Sequence, residues 1–103
     1  MFISNLNKGF SMTFANGNTV SIQWGVANYC EHYMKKDDVK LSATKETWKS
    51  KDTEMAAWDI DGEWHTFEVG CGLGGNQVQG YISADDVLAF MNFVATNKIT
   101  KGE

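Results

Sequence analysis

Two short runs near the start of the chain alternate apolar and polar residues with a period of two. Phe10, Met12 and Phe14 alternate with Ser11 and Thr13, and Val20, Ile22 and Trp24 alternate with Ser21 and Gln23. Alternation of this kind gives each run, Phe10–Thr13 and Thr19–Trp24, one apolar face and one hydroxyl or amide face. That is the pattern of a half-buried antiparallel strand. Between the runs stands Asn16-Gly17. This dipeptide tolerates the two positive φ angles of a type I′ turn, so the pattern predicts a hairpin.

The periodicity then lapses. From Asn28 to Asp52 the chain is polar, holds six of the nine lysines, and carries Met34, Val39, Leu41 and Trp48 at no regular spacing. Residues 33–52 read as a long mobile loop, with room for a short strand near Val39–Ala43. A loop of that length in a small domain is functional or disordered. Glu54–Phe67 reads as a second hairpin, with "AAWD" and "EWHTF" flanking the Asp61-Gly62 turn and Trp58 facing Trp64 across it. A glycine-rich connection, "VGCGLGGNQ", leads to a strand over Gln77–Ile82.

After the strand the period changes to 3.6. Val87, Phe90, Met91 and Val94 make one apolar stripe, which Leu88 and Phe93 widen. Ser83 is a fit N-cap, Asp85 and Asp86 suit the positive first turn, and Ile82 and Val87 can form a hydrophobic staple. The helix is expected to stop near Asn97 in a left-handed cap, with 98–103 a loose tail. The whole predicts one α+β domain over residues 1–103. Its antiparallel sheet has about five strands (two hairpins plus a strand), with one C-terminal helix packed on its apolar face.

Composition narrows the function classes. The net charge is −4, a poor match for duplex nucleic acid, whose phosphates must be neutralised. All nine cations are lysines, so a phosphate would meet Lys, hydroxyls or backbone N–H groups and not the bidentate fork of Arg. No apolar run is long enough for a membrane span and no signal-peptide pattern opens the chain, so the expected location is cytoplasmic. Cys30 and Cys71 are expected as reduced thiols.

The chemical motifs are weak. Gly70–Gly75 matches G-x-G-x-x-G by letter, but the dinucleotide fingerprint needs a strand before it and a helix after it. What remains is a flexible turn, or a nest of N–H groups for an anion. Cys30, His32, His65 and Cys71 lack zinc-site spacing. Asp59, Asp61 and Glu63 lack the rest of a calcium loop and suit a turn. The expectation is therefore no enzyme, no metal and no cofactor. The aromatic residues are more telling, since Trp24, Tyr29, Tyr33, Trp48, Trp58 and Trp64 exceed what a core of this size readily hides. Exposed Trp and Tyr suit interfaces and base stacking.

The run Gly9–Glu31, GFSMTFANGNTVSIQWGVANYCE, resembles the opening GF-x-MTF-x-NG-x-TVS-x-QWG-x-x-NYC of a family of small phage-encoded proteins. Glu54–Trp64 and Val78–Phe90 resemble that family's E-x-AAWD-x-DG-x-W and V-x-GY-x-S-x-D-x-V-x-x-F blocks. The chain is also similar to phage proteins that disarm nucleotide-signalling defence, the anti-CBASS cyclic-nucleotide sponges. That likeness implies a homo-oligomer in the host cytoplasm that sequesters a small cyclic nucleotide without cleaving it. The contacts it implies here are Trp24, Asn28, Tyr29 and Tyr33, with Lys35 and the amides of Gly72 and Gly74 for phosphate. The alternative is a small acidic phage inhibitor that binds a host defence protein directly.

Overall fold

The computed structural model describes residues 1–4, 8–25, 28–31, 49–67 and 76–100. Five strands form one antiparallel sheet in sequence order: β1 (Phe2–Ser4), β2 (Gly9–Thr13), β3 (Thr19–Gln23), β4 (Thr53–Trp58) and β5 (Gln79–Ile82). One helix, α1 (Ala84–Thr96), packs on it against β3 and β4. The α+β architecture is the one the hydrophobic pattern predicts.

The register explains the faces. Phe10, Ile22 and Met55 align across β2, β3 and β4, as do Met12, Val20 and Ala57. These rows face the helix, whose Val87, Phe90 and Val94 complete a core with Ile99. The rows between them, Ser11–Ser21–Ala56 and Thr13–Thr19–Trp58, make the opposite face. There the Thr13 and Thr19 hydroxyls share a hydrogen bond of 2.8 Å. Gly9 permits the close pairing of β2 and β3, because a Cβ there would lie 2.4 Å from the Ile22 carbonyl oxygen.

Several expectations change in detail. The fifth strand is β1, which the pattern did not single out, because 63–67 does not become a full strand. That arm keeps one bridge, Trp58 to Trp64. The lower half of the same β4 edge is taken by β5, which pairs Thr53 with Ile82 and Met55 with Gln79. Two segments cannot share one row of donors and acceptors, so the arm leaves the sheet and packs His65 and Phe67 toward the helix.

The first turn is also not type I′. Only Gly17 takes a positive φ (88°), while Gly17 N–H donates to the Phe14 carbonyl and Phe14 N–H to the Asn18 carbonyl. This is a three-residue loop, a type I turn followed by a left-handed glycine. Ile60-Asp61-Gly62 repeats it: Gly62 has φ 81°, its N–H donates to the Asp59 carbonyl, and Asp59 N–H donates to the Glu63 carbonyl.

The helix begins as expected, with Asp86 N–H donating to Ser83 Oγ at 3.3 Å. It ends at Asn97, but that residue is extended (φ −130°, ψ 160°) and not left-handed. Its side chain instead donates to the Phe93 carbonyl at 3.1 Å. Two further carbonyls at this end, those of Val94 and Asn97, are met from the first turn. Asn16 and Asn18 side-chain amides both donate to the Val94 carbonyl at 3.0 Å, and Asn18 reaches the Asn97 carbonyl at 2.8 Å. A helix end whose orphan acceptors are met from elsewhere does not need a left-handed cap.

Leu88 and Phe93, read as widening the core stripe, are exposed. Residues 98–100, read as a loose tail, are docked: Ile99 is buried in the core and its carbonyl accepts from His65 Nδ1–H at 2.7 Å. Of the region read as a long loop, 33–48 lies outside the described residues, as does the suggested strand at Val39–Ala43. No helix among the described residues is long and apolar enough to cross a membrane.

Candidate functional site

The sequence singled out the corner that follows β3. Among its residues, Trp24, Asn28 and Tyr29 are described, while Tyr33, Lys35, Gly72 and Gly74 lie outside the described residues. Trp24 is half-buried, meets Phe10 edge-on at 6.3 Å and packs against the core. Asn28 shapes its own loop: its Oδ1 accepts from Gly25 N–H at 2.9 Å, and its Nδ2 donates to Glu54 Oε1 at 3.3 Å. The second oxygen of Glu54 accepts the Tyr29 N–H at 2.7 Å. Both ends of the Asn28 amide are thus used within the fold. Cys30 is a buried thiol whose Sγ–H donates to the Gly25 carbonyl at 3.4 Å. Cys71 lies outside the described residues.

A strained residue adjoins this corner. Tyr81 of β5 has φ 57° and is 53% exposed. Its N–H donates to the Tyr29 carbonyl at 2.8 Å. The left-handed conformation is unfavourable for a bulky residue. The strain sits where β5 shifts register against β4 between Thr53 and Met55, and a bulge of this kind turns a side chain outward. Tyr29 and Tyr81 are therefore joined through their main chains at one sheet edge.

A second feature occupies the opposite end of β4, and the sequence did not nominate it. A trough of about 420 Å³ runs between the arm after the second turn and the segment after the helix. Trp64, His65 and Thr66 line one side, with Phe93, Lys98 and Thr100 on the other. It continues into a space of about 410 Å³ beside Asp59, Asp61 and Glu63. Trp64 and Phe93 remain 40% and 38% exposed; the Trp64 ring pairs with Trp58 on the sheet face away from the helix, and Phe93 projects from the helix itself.

Each wall is fixed from below. Trp64 rests on Trp58 at a ring separation of 5.1 Å, as the hairpin pattern foresaw. His65 sits edge-on to Phe67 at 4.9 Å and to Phe93 at 5.6 Å. Asp59 ties the turn to the segment after the helix. Its Oδ1 accepts from Asp61 and Glu63 N–H groups, both at 2.9 Å, and its Oδ2 accepts from the Thr100 hydroxyl at 2.8 Å. The Glu63 N–H, then the Thr100 hydroxyl, hold the Asp59 carboxyl below the usual aspartate range against the opposing effect of burial, with Asp61 N–H and Lys98 adding to the lowering.

The signal for this trough was present in the sequence but divided. Trp64 and the acids lie in one hairpin, Phe93 was assigned to the core, and Lys98 and Thr100 to the tail. Only the docking of Ile99 brings them together. Among the described residues no three His, Cys, Asp or Glu side chains converge on a metal position. The chain matches no family model, no curated protein and no solved structure.

Proposed function

We propose that this protein binds a cyclic nucleotide signal and sequesters it without cleaving it. The observation that carries the reading is the trough, where the exposed residues Trp64 and Phe93, a hydroxyl and an ammonium group border space of ligand size. Trp64 and Phe93 offer faces on which a base stacks, an interaction of about 1–3 kcal/mol per base. Lys98 supplies the charge for a phosphodiester and Thr66 a hydroxyl for a sugar or base edge. Tyr29, retained from the sequence reading, and Tyr81 beside it offer a second aromatic edge for ligand or for another protomer.

A thermal-shift panel tests this. Cyclic dinucleotides, cyclic trinucleotides and cyclic ADP-ribose isomers are compared with linear nucleotides. A bound ligand stabilises by RT ln(1 + [L]/Kd), about 2.7 kcal/mol at a hundredfold excess over Kd. One cyclic class is expected to raise Tm by several degrees and to be recovered intact after denaturation. Recovery of a changed product points to an enzyme, and a flat panel removes the reading.

One observation favours a second reading, direct binding to a host defence protein. Phe2 and Ile3 are 76% and 48% exposed on β1, one of the two outer strands among the described residues, and Met1 beside them is 73% exposed. An apolar edge strand is a template for pairing with another chain. Retention of a host protein together with a flat nucleotide panel supports this reading.

A further inference from the structure

The charge around the trough goes further than its shape. Lys98 and Glu63 line both its aromatic end and its extension, and Asp59 and Asp61 join them in the extension. Asp59 is committed to the fold through three hydrogen bonds. Asp61 and Glu63 enter the turn through their N–H groups and are exposed, so their carboxylates face the solvent that an entering ligand displaces. A bound anion therefore meets one positive group and a negative rim.

We infer that this rim makes the trough selective for nucleotides whose phosphates are all diesters and against those with a terminal phosphate. The inference rests on the nucleotide reading above and specifies its ligand class. Each phosphodiester carries one negative charge, so a cyclic dinucleotide carries two, of which Lys98 offsets one. A terminal phosphomonoester carries about −1.5 to −2 at pH 7, and the excess falls beside Asp61 and Glu63. Lys98, Asp61 and Glu63 line the same space, so their charges act on one bound anion. Cyclisation removes the terminal phosphate. The same acids that weaken binding of any phosphate thus weaken binding of a linear breakdown product more. A protein that holds a cyclic signal gains from this, because linear nucleotides of the cell do not fill its sites.

The experiment measures the affinities of cyclic di-adenylate and of its linear 5′-phosphorylated form, pApA, by calorimetry on the full chain. If another cyclic class gives the shift in the panel, that class and its linear 5′-phosphate replace the pair. Wild-type protein is expected to prefer the cyclic form by about tenfold or more. In the double variant Asp61→Asn, Glu63→Gln both affinities rise, the linear one more, and the preference narrows to about threefold. Both side chains are exposed, so the unliganded Tm serves as the control for folding. Raising salt is expected to narrow the wild-type preference in the same direction. Lys98→Ala lowers both affinities, and Trp64→Ala removes binding.

The outcomes separate the two claims. If no cyclic nucleotide of any class binds, the functional reading itself fails. If the cyclic form binds but the preference is absent, or the double variant leaves it unchanged, the nucleotide reading stands and the charge inference is overturned. Cyclic binding that survives both Trp64→Ala and Lys98→Ala places the ligand elsewhere and also overturns it.

Discussion

The two turns of this protein have the same backbone and opposite consequences. Ala15-Asn16-Gly17 and Ile60-Asp61-Gly62 are both three-residue loops ending in a left-handed glycine, closed by the same pair of main-chain hydrogen bonds. The first opens into five paired residues between β2 and β3. The second keeps one bridge and then releases its arm. Turn chemistry acts over four or five residues, whereas continuation of a ladder depends on which other segment claims the strand edge. β3 arises inside the sheet with both edges available to its neighbours, whereas the arm after Gly62 meets β5 on the same edge of β4. The released arm is what forms a wall of the trough.

The turns also differ in what their side chains hold. The first one serves the helix end through Asn16 and Asn18, the second one serves the segment after the helix through Asp59. The largest expected effect follows from this. Asn18→Ala removes the side-chain donor of the Asn97 carbonyl and leaves the Val94 carbonyl with Asn16 alone, a loss of about 2 kcal/mol. Chemical denaturation with an unchanged m-value is the measurement that checks it.

The glycines come next and sharpen the comparison directly. Gly17→Ala combines an unfavourable φ with a Cβ 3.0 Å from the Ile60 side chain, whereas the same change at Gly62 meets nothing within 4 Å. The expected costs are about 2 kcal/mol at Gly17 and about 1 kcal/mol at Gly62. Equal costs in thermal or urea unfolding contradict the packing of one turn on the other.

Trp64→Ala is expected to cost about 1 kcal/mol or somewhat more, since the ring is partly exposed and its pairing with Trp58 is worth about 0.5–1.5 kcal/mol. The fold should survive, with loss of ligand-induced stabilisation. The smallest effect concerns pH. A carboxyl whose folded pKa is lowered stabilises the fold when ionised, fully so well above the ordinary value of 3.8. That contribution is lost as pH falls through the lowered folded value. Acid titration followed by NMR should show the Thr100 and Glu63 resonances moving together below about pH 4, and Asp59→Asn should flatten that transition.

The fold was largely legible because its signals are local. The alternation in β2 and β3, the Ser83 cap and the stripe Val87–Phe90–Val94 each act within one element. The left-handed cap at Asn97 was misread because its carbonyls are served by Asn18, 79 residues away in sequence. β1 was missed because three residues, Phe2–Ser4, are too few to display a period. The trough was not legible at all, since it depends on Ile99 entering the core. No pattern in Lys98–Thr100 announces that event. Asn28 shows the reverse case. It was named as a ligand contact through its amide, yet Gly25 and Glu54 engage both ends of that group.

The neck of the long connection between β3 and β4 has a consequence of its own. Glu31 N–H donates to Asp52 Oδ1 at 2.6 Å, and Lys51 N–H donates to Glu31 Oε1 at 2.7 Å. The two ends of the excursion are therefore stapled to each other beneath whatever sequence lies between them. A stapled neck makes the intervening stretch a graftable cassette. Replacement or lengthening of residues 35–47 should leave the sheet intact, because loop closure costs only about 0.6 kcal/mol for each doubling of length.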